Sequence, residues 1–196
     1  MVWTIPILII VALGTVTYLT SFSLDPRKPI ESEKDTMVIH VIAMDWKWLF
    51  VYPEYEIATV NEIAIPVDTP VEFLVTSDTV MNSFFIPNLG SQIYAMSGME
   101  NRVYLMADEA GVYDGFSANY SGFGFSGMKF DTIATDQAGF EQWVASVKSS
   151  PLSLTEPTFT ALREKTRDVP VQHFASADPL LFSNIVKEYA GELNGD

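Results

Sequence analysis

The stretch Tyr113–Met128 reads YDGFSANYSGFGFSGM, with glycines at close intervals and small polar residues between them. That cadence suits a backbone wrapped around a bound ion, because a glycine turns the chain with no Cβ in the way. The donors are missing. Asp114 is the only carboxylate in the stretch, and it holds no Cys and no His. Met128 offers a thioether, and a thioether alone cannot hold copper.

His40 and His173 are the only histidines. His40 sits among apolar strand-like residues, where a structural histidine is expected rather than a ligand. His173 stands far in sequence from any partner, and a solitary histidine makes no site. The serines are numerous enough to suggest a Ser-His-Asp triad, but no nucleophile-elbow motif accompanies them. The cysteine count is zero. That excludes disulfides, iron–sulfur clusters, thiolate catalysis and every thiolate-based copper or zinc site. The formal charge is −14, from 25 acids against 11 bases, so nucleic acid is disfavoured as a partner. The acids are read as a solvated surface that keeps an exposed domain soluble.

The elements that would hold such a loop follow from the pattern of apolar residues. Val2–Phe22 runs without a charge, which is the length a hydrocarbon core requires of a helix. Trp3 and Tyr18 lie near its ends, where interfacial aromatics are favoured. A cleaved signal peptide fits less well, since there is no basic leading region and no small-residue cleavage site. DPRKPIESEKD (25–35) is a polar, proline-broken linker. MVIHVIA (37–43), EIAIP (62–66), VEFLVT (71–76), NRVYLMA (101–107) and MKFDTIA (128–134) read as strands separated by turn residues, which argues a sandwich or barrel. Trp46, Trp48, Phe50 and Tyr52 alternate, so a strand would align them as one aromatic ridge. Phe140, Trp143, Val144 and Val147 predict an amphipathic helix over 137–148, and Leu181, Phe182, Ile185, Val186 and Tyr189 another after Asp178-Pro179. Between them, 150–177 reads as a loosely packed connection with a short helix near 158–166.

MDWKWLFVYPE (44–54), TSDTVMNSFFIPNLGSQIYAMSGM (76–99) and the opening loop with Met128-Lys129-Phe130 resemble subunit II of the haem–copper respiratory oxidases. The quinol-oxidising, cytochrome bo-type branch is the nearest match. VWTIPILII resembles the start of that family's second membrane helix, and VQHFASADPLLFSNIVKEYAG its aromatic-rich tail. The resemblance implies a cupredoxin-like fold. In the cytochrome c-oxidising branch that fold carries a dinuclear copper centre. Laid on this chain, the copper ligands fall at Asn82, Phe116, Tyr120, Gly124 or Phe125, and Met128, with the backbone-carbonyl position at Ala118. Both thiolates and both imidazoles are replaced, so no metal site is expected. Phe116 and Tyr120 are expected to fill the volume a metal would take. Trp46 and Trp48, in the region that helps receive electrons from cytochrome c in the copper branch, are expected to serve packing and subunit contact.

The fold expected is mainly β: a cupredoxin-like β-sandwich anchored by one N-terminal transmembrane helix, with a helical C-terminal extension. The divisions are 1–23 (membrane helix), 24–36 (linker), 37–135 (sandwich without copper) and 136–196 (aromatic-rich extension). The resemblance implies a subunit with no catalytic residues and no cofactor of its own, in a proton-translocating quinol oxidase that reduces oxygen to water. Haem and copper would sit in the largest subunit, the partner it would cap and stabilise. Partners would also include the other oxidase subunits and the lipid bilayer, with quinol the substrate of the complex. The family places the sandwich outside the bacterial cytoplasmic membrane, whereas Arg27 and Lys28 alone would place it inside by the positive-inside rule. The family's first membrane helix and a proton-channel glutamate would lie upstream of Met1. A copper-carrying cytochrome c oxidase subunit and a free-standing anchored binding domain are the alternative readings.

Overall fold

The computed structural model describes residues 3–193. Met1 and Val2 of the expected membrane helix and residues 194–196 of the expected extension lie outside them. Helix α1 (Thr4–Ser23) is apolar and exposed along its length. A helix hydrophobic all round, and not buried by the described residues, is built for lipid. Its polar side chains turn back on the helix: Thr15 donates to the Val11 carbonyl at 2.8 Å and Ser21 to that of Thr17 at 2.7 Å. These hydroxyls then do not stand bare in an apolar medium. The linker follows, pinned where Tyr104 N donates to the Pro26 carbonyl at 3.0 Å and Lys34 Nζ to that of Val67 at 3.1 Å.

Eleven strands follow among the described residues. They are β1 (Met37–Met44), β2 (Lys47–Tyr52), β3 (Ile57–Val60), β4 (Glu62–Pro66), β5 (Val71–Ser77), β6 (Asn82–Phe85), β7 (Ile93–Ala95), β8 (Asn101–Leu105), β9 (Gly111–Ser117), β10 (Lys129–Thr135) and β11 (Gln172–Phe174). Six form one sheet in the order β11-β3-β2-β1-β5-β8, and five form the other in the order β4-β10-β9-β6-β7. The chain crosses between sheets at Asn61, which adopts φ 58°. Asparagine tolerates that left-handed conformation better than most residues. Its side chain also accepts from Trp48 N at 2.9 Å and donates to the Val169 carbonyl at 2.8 Å.

Alternation in β1 and β2 decides what each face of the larger sheet covers. Ile39, Val41, Ala43, Trp48, Phe50 and Tyr52 point into the sandwich core, against Phe73, Phe84 and Phe130. Ile42, Met44, Leu49 and Val51 point the other way, into a second core. A sheet buried on both faces reads as continuous apolar runs. MVIHVIAM and KWLFVY read that way because of it.

The second core is made by the C-terminal extension. Helix α2 (Gln137–Lys148), which starts at Asp136, whose carboxylate accepts from Gly139 N at 2.8 Å, instead adds Phe140, Val144 and Val147 to the sandwich core. Helix α3 (Glu156–Leu162) and helix α4 (Leu181–Leu193) bring Phe159, Leu162, Phe182 and Ile185 onto the outer face of the larger sheet. The segment 150–177 is therefore not a loose connection. It buries Leu154, Phe159, Leu162, Phe174 and Ala177, and its β11 pairs antiparallel with β3. The short helix also lies earlier than 158–166, since Pro157 fits a first turn, where it gives up no bonded N–H.

Candidate functional site

The stretch Tyr113–Met128 is half strand and half loop. Its first residues belong to β9, and the loop begins at Ala118, ending in a tight turn at Phe125–Gly127. Gly115 sits in the strand because the Phe130 ring occupies the space a side chain there would need. Side-chain and backbone bonds close the frame. Ser117 Oγ donates to Asn82 Oδ1 at 3.0 Å, Ser117 N to the Met128 carbonyl at 3.1 Å and Ala118 N to the Ser83 carbonyl at 3.0 Å. Asn119 Nδ2 donates to the Met81 carbonyl at 3.1 Å.

The positions singled out from the sequence come together only in part. Phe116, Ala118, Phe125 and Met128 line one open groove of about 390 Å³, with Ser117, Ser126 and Lys129. Met128 is buried, and Phe116 packs edge-on against Phe85 with centroids 5.5 Å apart. Asn82 is buried beside them, with its amide already bonded to Ser117 and to the Val80 carbonyl. Tyr120 departs from expectation. It is 76% exposed and touches Phe125 at 5.8 Å, so it fills no interior volume. The two candidates for one position also part company: Phe125 faces the groove, while Gly124 lies under an indole ring.

These residues do not fit a dinuclear copper centre. The ligand positions offer one buried thioether, one committed amide and the phenol of exposed Tyr120, and none supplies the thiolate or imidazole such a centre needs. The histidines lie elsewhere. His40 packs its ring on Phe182, 4.6 Å between centroids, and burial pushes its pKa down to about 4. His173 is not solitary: its Nε2 lies 2.8 Å from Glu62 Oε1, which also accepts from Trp143 Nε1 at 3.0 Å.

Both tryptophans are engaged within the chain. Trp48 is 0% exposed, edge-on to Phe84 and Phe130 in the sandwich core. Trp46 is half-buried in the β1–β2 turn at φ 65°, an unusual conformation for a bulky side chain. Its indole covers Gly122 and Gly124, and Nε1 donates to the Ser121 carbonyl at 3.1 Å. The ridge read from alternation thus has three members, and Trp46 is a pin for the loop.

A second set of contacts was invisible in the sequence. The run Arg163–Val169 crosses the same end of the sandwich and touches it along its length. Arg163 Nε and its NH2 group reach the Asp78 carboxylate at 2.8–3.1 Å. Lys47, 1% exposed, donates to the Glu164 carbonyl at 2.8 Å and to Thr166 Oγ1 at 2.6 Å. Lys165 lies 3.4 Å from Asp45, and the Arg167 guanidinium lies 4.4 Å over the Phe123 ring. Asp168 fills the space beside Gly127. Burial lowers the Lys47 pKa, and Asp45 and Glu164 oppose that. Burial also raises the Asp78 pKa, outweighing the pull of Arg163. The loop is therefore held by Trp46 from one side and by this run from the other.

Residues 55–134 match the family described as cytochrome c oxidase subunit II, periplasmic domain, and residues 148–192 match the COX aromatic rich motif. The cytochrome bo(3) ubiquinol oxidase subunit 2 of Pseudomonas aeruginosa is 53% identical over 195 residues, covering 100% of this chain and 58% of that protein.

The chain belongs to the oxidase subunit II family.

Among its other relatives, the ubiquinol oxidase subunit 2 of Acetobacter aceti is 53% identical, over 96% of this chain and 62% of that protein. The quinol oxidase subunit 2 of Bacillus subtilis is 41% identical, over 82% and 50%. The chain spans about 60% of the length of the first curated relatives it matches. The sandwich has the fold of the periplasmic domain of subunit II of cytochrome oxidase from Bradyrhizobium japonicum. That structure covers 61% of this chain and 96% of its own, with a TM-score of 0.56 at 20% identity. An apolar helix joined to a periplasmic-domain family makes this subunit II chain membrane-anchored.

Proposed function

We propose that this chain serves as the non-catalytic subunit II of a proton-translocating quinol oxidase. One observation carries the reading. The loop that would cradle copper keeps its frame, from Asn82 to Met128, while its side chains supply no thiolate and no imidazole. Electrons then have no metal relay through this domain, which fits a complex that takes them from a membrane-soluble quinol. The similarity to ubiquinol oxidase subunits along the chain supports the same reading.

Haem, copper and the oxygen chemistry belong in this reading to the largest subunit, which this chain caps and stabilises. The sandwich stands on the outer face of a bacterial cytoplasmic membrane. The test is to purify the complex through a tag on this chain and measure metals and activity. Haem-bearing partner, quinol-dependent oxygen uptake and no copper in the separated subunit II are expected. Stoichiometric copper in that subunit, or no haem partner at all, overturns the reading.

A further inference from the structure

Helix α1 ends at a defined depth. Its apolar span runs Thr4–Phe22, and at about 1.5 Å of rise per residue that length matches a hydrocarbon core of about 30 Å. Tyr18 and Phe22 pack edge-on with centroids 5.2 Å apart, an aromatic pair suited to the boundary. The Phe22 carbonyl therefore lies where hydrocarbon gives way to headgroups. Lys28, six residues on, turns back and donates its Nζ to that carbonyl. The start of the linker is thus held at headgroup depth.

Backbone bonds give this segment a fixed shape. Asp25 Oδ1 accepts from Arg27 N at 3.0 Å, and Lys28 N donates to the Asp25 carbonyl at 3.0 Å. Tyr104 N, on β8, donates to the Pro26 carbonyl at 3.0 Å. Between the linker and Tyr104 lies a cleft of about 420 Å³, lined in part by Leu24, Asp25, Lys28, Ile30 and Glu31. Arg27 is exposed beside it in the chain. The Arg27 guanidinium and the Glu31 carboxylate have no partner among the described residues.

Charge selects the occupant. Sites for anionic lipid gather about four or more Lys and Arg. Here Arg27 and Lys28 are offset by Asp25 and Glu31, in a chain of net −14. A headgroup carrying both signs fits better. Its phosphate meets the two bases, and its cation meets the two carboxylates. Carboxylates accept hydrogen bonds, and a primary ammonium has N–H groups to donate where a quaternary one has none.

We propose that the cleft between the linker and Tyr104 binds a phospholipid headgroup with a phosphate and a primary ammonium, of the phosphatidylethanolamine type. The site stands on α1 crossing the membrane and is independent of the oxidase reading. The headgroup ties β8 of the sandwich to the end of α1.

The test places the full chain in vesicles of phosphatidylethanolamine, phosphatidylcholine and phosphatidylglycerol, in equal parts and with the same acyl chains. Native mass spectrometry after mild detergent extraction counts the lipids retained. Phosphatidylethanolamine is expected to be retained about tenfold over phosphatidylcholine, the factor that one charged hydrogen bond carries. Asp25→Asn combined with Glu31→Gln should abolish that preference, and an amide oxygen at 25 can still accept from Arg27 N. Glu33→Gln, at an exposed acid outside the cleft, should leave it unchanged. Three results overturn the site: equal retention of phosphatidylethanolamine and phosphatidylcholine, phosphatidylglycerol held as strongly as phosphatidylethanolamine, or a preference that survives the double variant.

Discussion

The indole of Trp46 occupies the space that any side chain at Gly124 would need. The two residues are far apart in the sequence, and each makes the other intelligible. Trp46 tolerates its left-handed backbone because its ring is seated on the loop, and Gly124 is a glycine because the ring is there. Gly124→Ala therefore forces the ring off its seat. The expected loss is about 1–3 kcal/mol, as for overpacking elsewhere. Thermal melting of the full chain in detergent reads it, with Gly111→Ala, which meets nothing within contact distance, as the neutral comparison.

Lys47 is the centre of the clasp. Lys47→Met keeps most of the volume and removes the bonds to the Glu164 carbonyl and the Thr166 hydroxyl, which lie on exposed residues and turn to water. The net loss of a hydrogen bond from a charged group is about 1.5–3 kcal/mol. The loosening should be local first, seen as faster proteolytic cleavage within 163–169 at temperatures where the sandwich is still folded. Cleavage no faster than in the parent chain would count against the clasp.

Arg163 and Asp78 form a pair of unequal burial, the carboxylate at 1% exposure and the guanidinium at 32%. Removing the base leaves the acid buried without its partner. Arg163→Met should cost about 3 kcal/mol. Asp78→Asn combined with Arg163→Met should cost clearly less than the two singles added together, which a double-mutant cycle in denaturant measures.

His40 supplies a pH dependence with a definite sign. Its folded pKa, about 4, lies below the ordinary 6.5, so between those values the unfolded chain holds a proton that the folded chain does not. Its contribution is fully present above about pH 6.5, falls as the pH drops and levels off below about 4. The slope cannot exceed about 1.4 kcal/mol per pH unit, the limit for one proton, and partial exposure makes it smaller. His40→Gln should flatten the stability curve in that window while leaving the carboxylate-driven loss at lower pH.

Protease added outside intact spheroplasts should digest the sandwich and leave a membrane-protected fragment containing α1. Full protection from outside, with digestion only in inverted vesicles, would reverse the orientation proposed above.

The sequence exposed the elements whose pattern is local. The helix expected at 137–148 and the strand at 62–66 stand where periodicity put them, and β1, β5 and β10 end within a residue or so of expectation. Short strands such as β6 and β7 escaped, because four or three residues carry too little alternation to be read. The packing expected of Trp48 is found, but that it packs in the sandwich core was not legible, because alternation cannot say which face of a strand meets which layer. The Arg163–Val169 clasp escaped for a different reason. It is a run of charges and small polar residues, which reads as a solvated loop, and its partners Lys47 and Asp78 lie more than eighty residues away. His173 met Glu62 in the same way, across 111 residues.

The outer face of the larger sheet waits for a segment that is made much later. Ile42, Met44, Leu49, Val51, Ala58 and Val60 are covered by residues from Leu154 onward. During synthesis these side chains stand bare until the segment from Leu154 has been made. A product cut short before Leu154 would present a sticky apolar sheet to chaperones and proteases. Only a chain made through α4 carries every residue that hides this face.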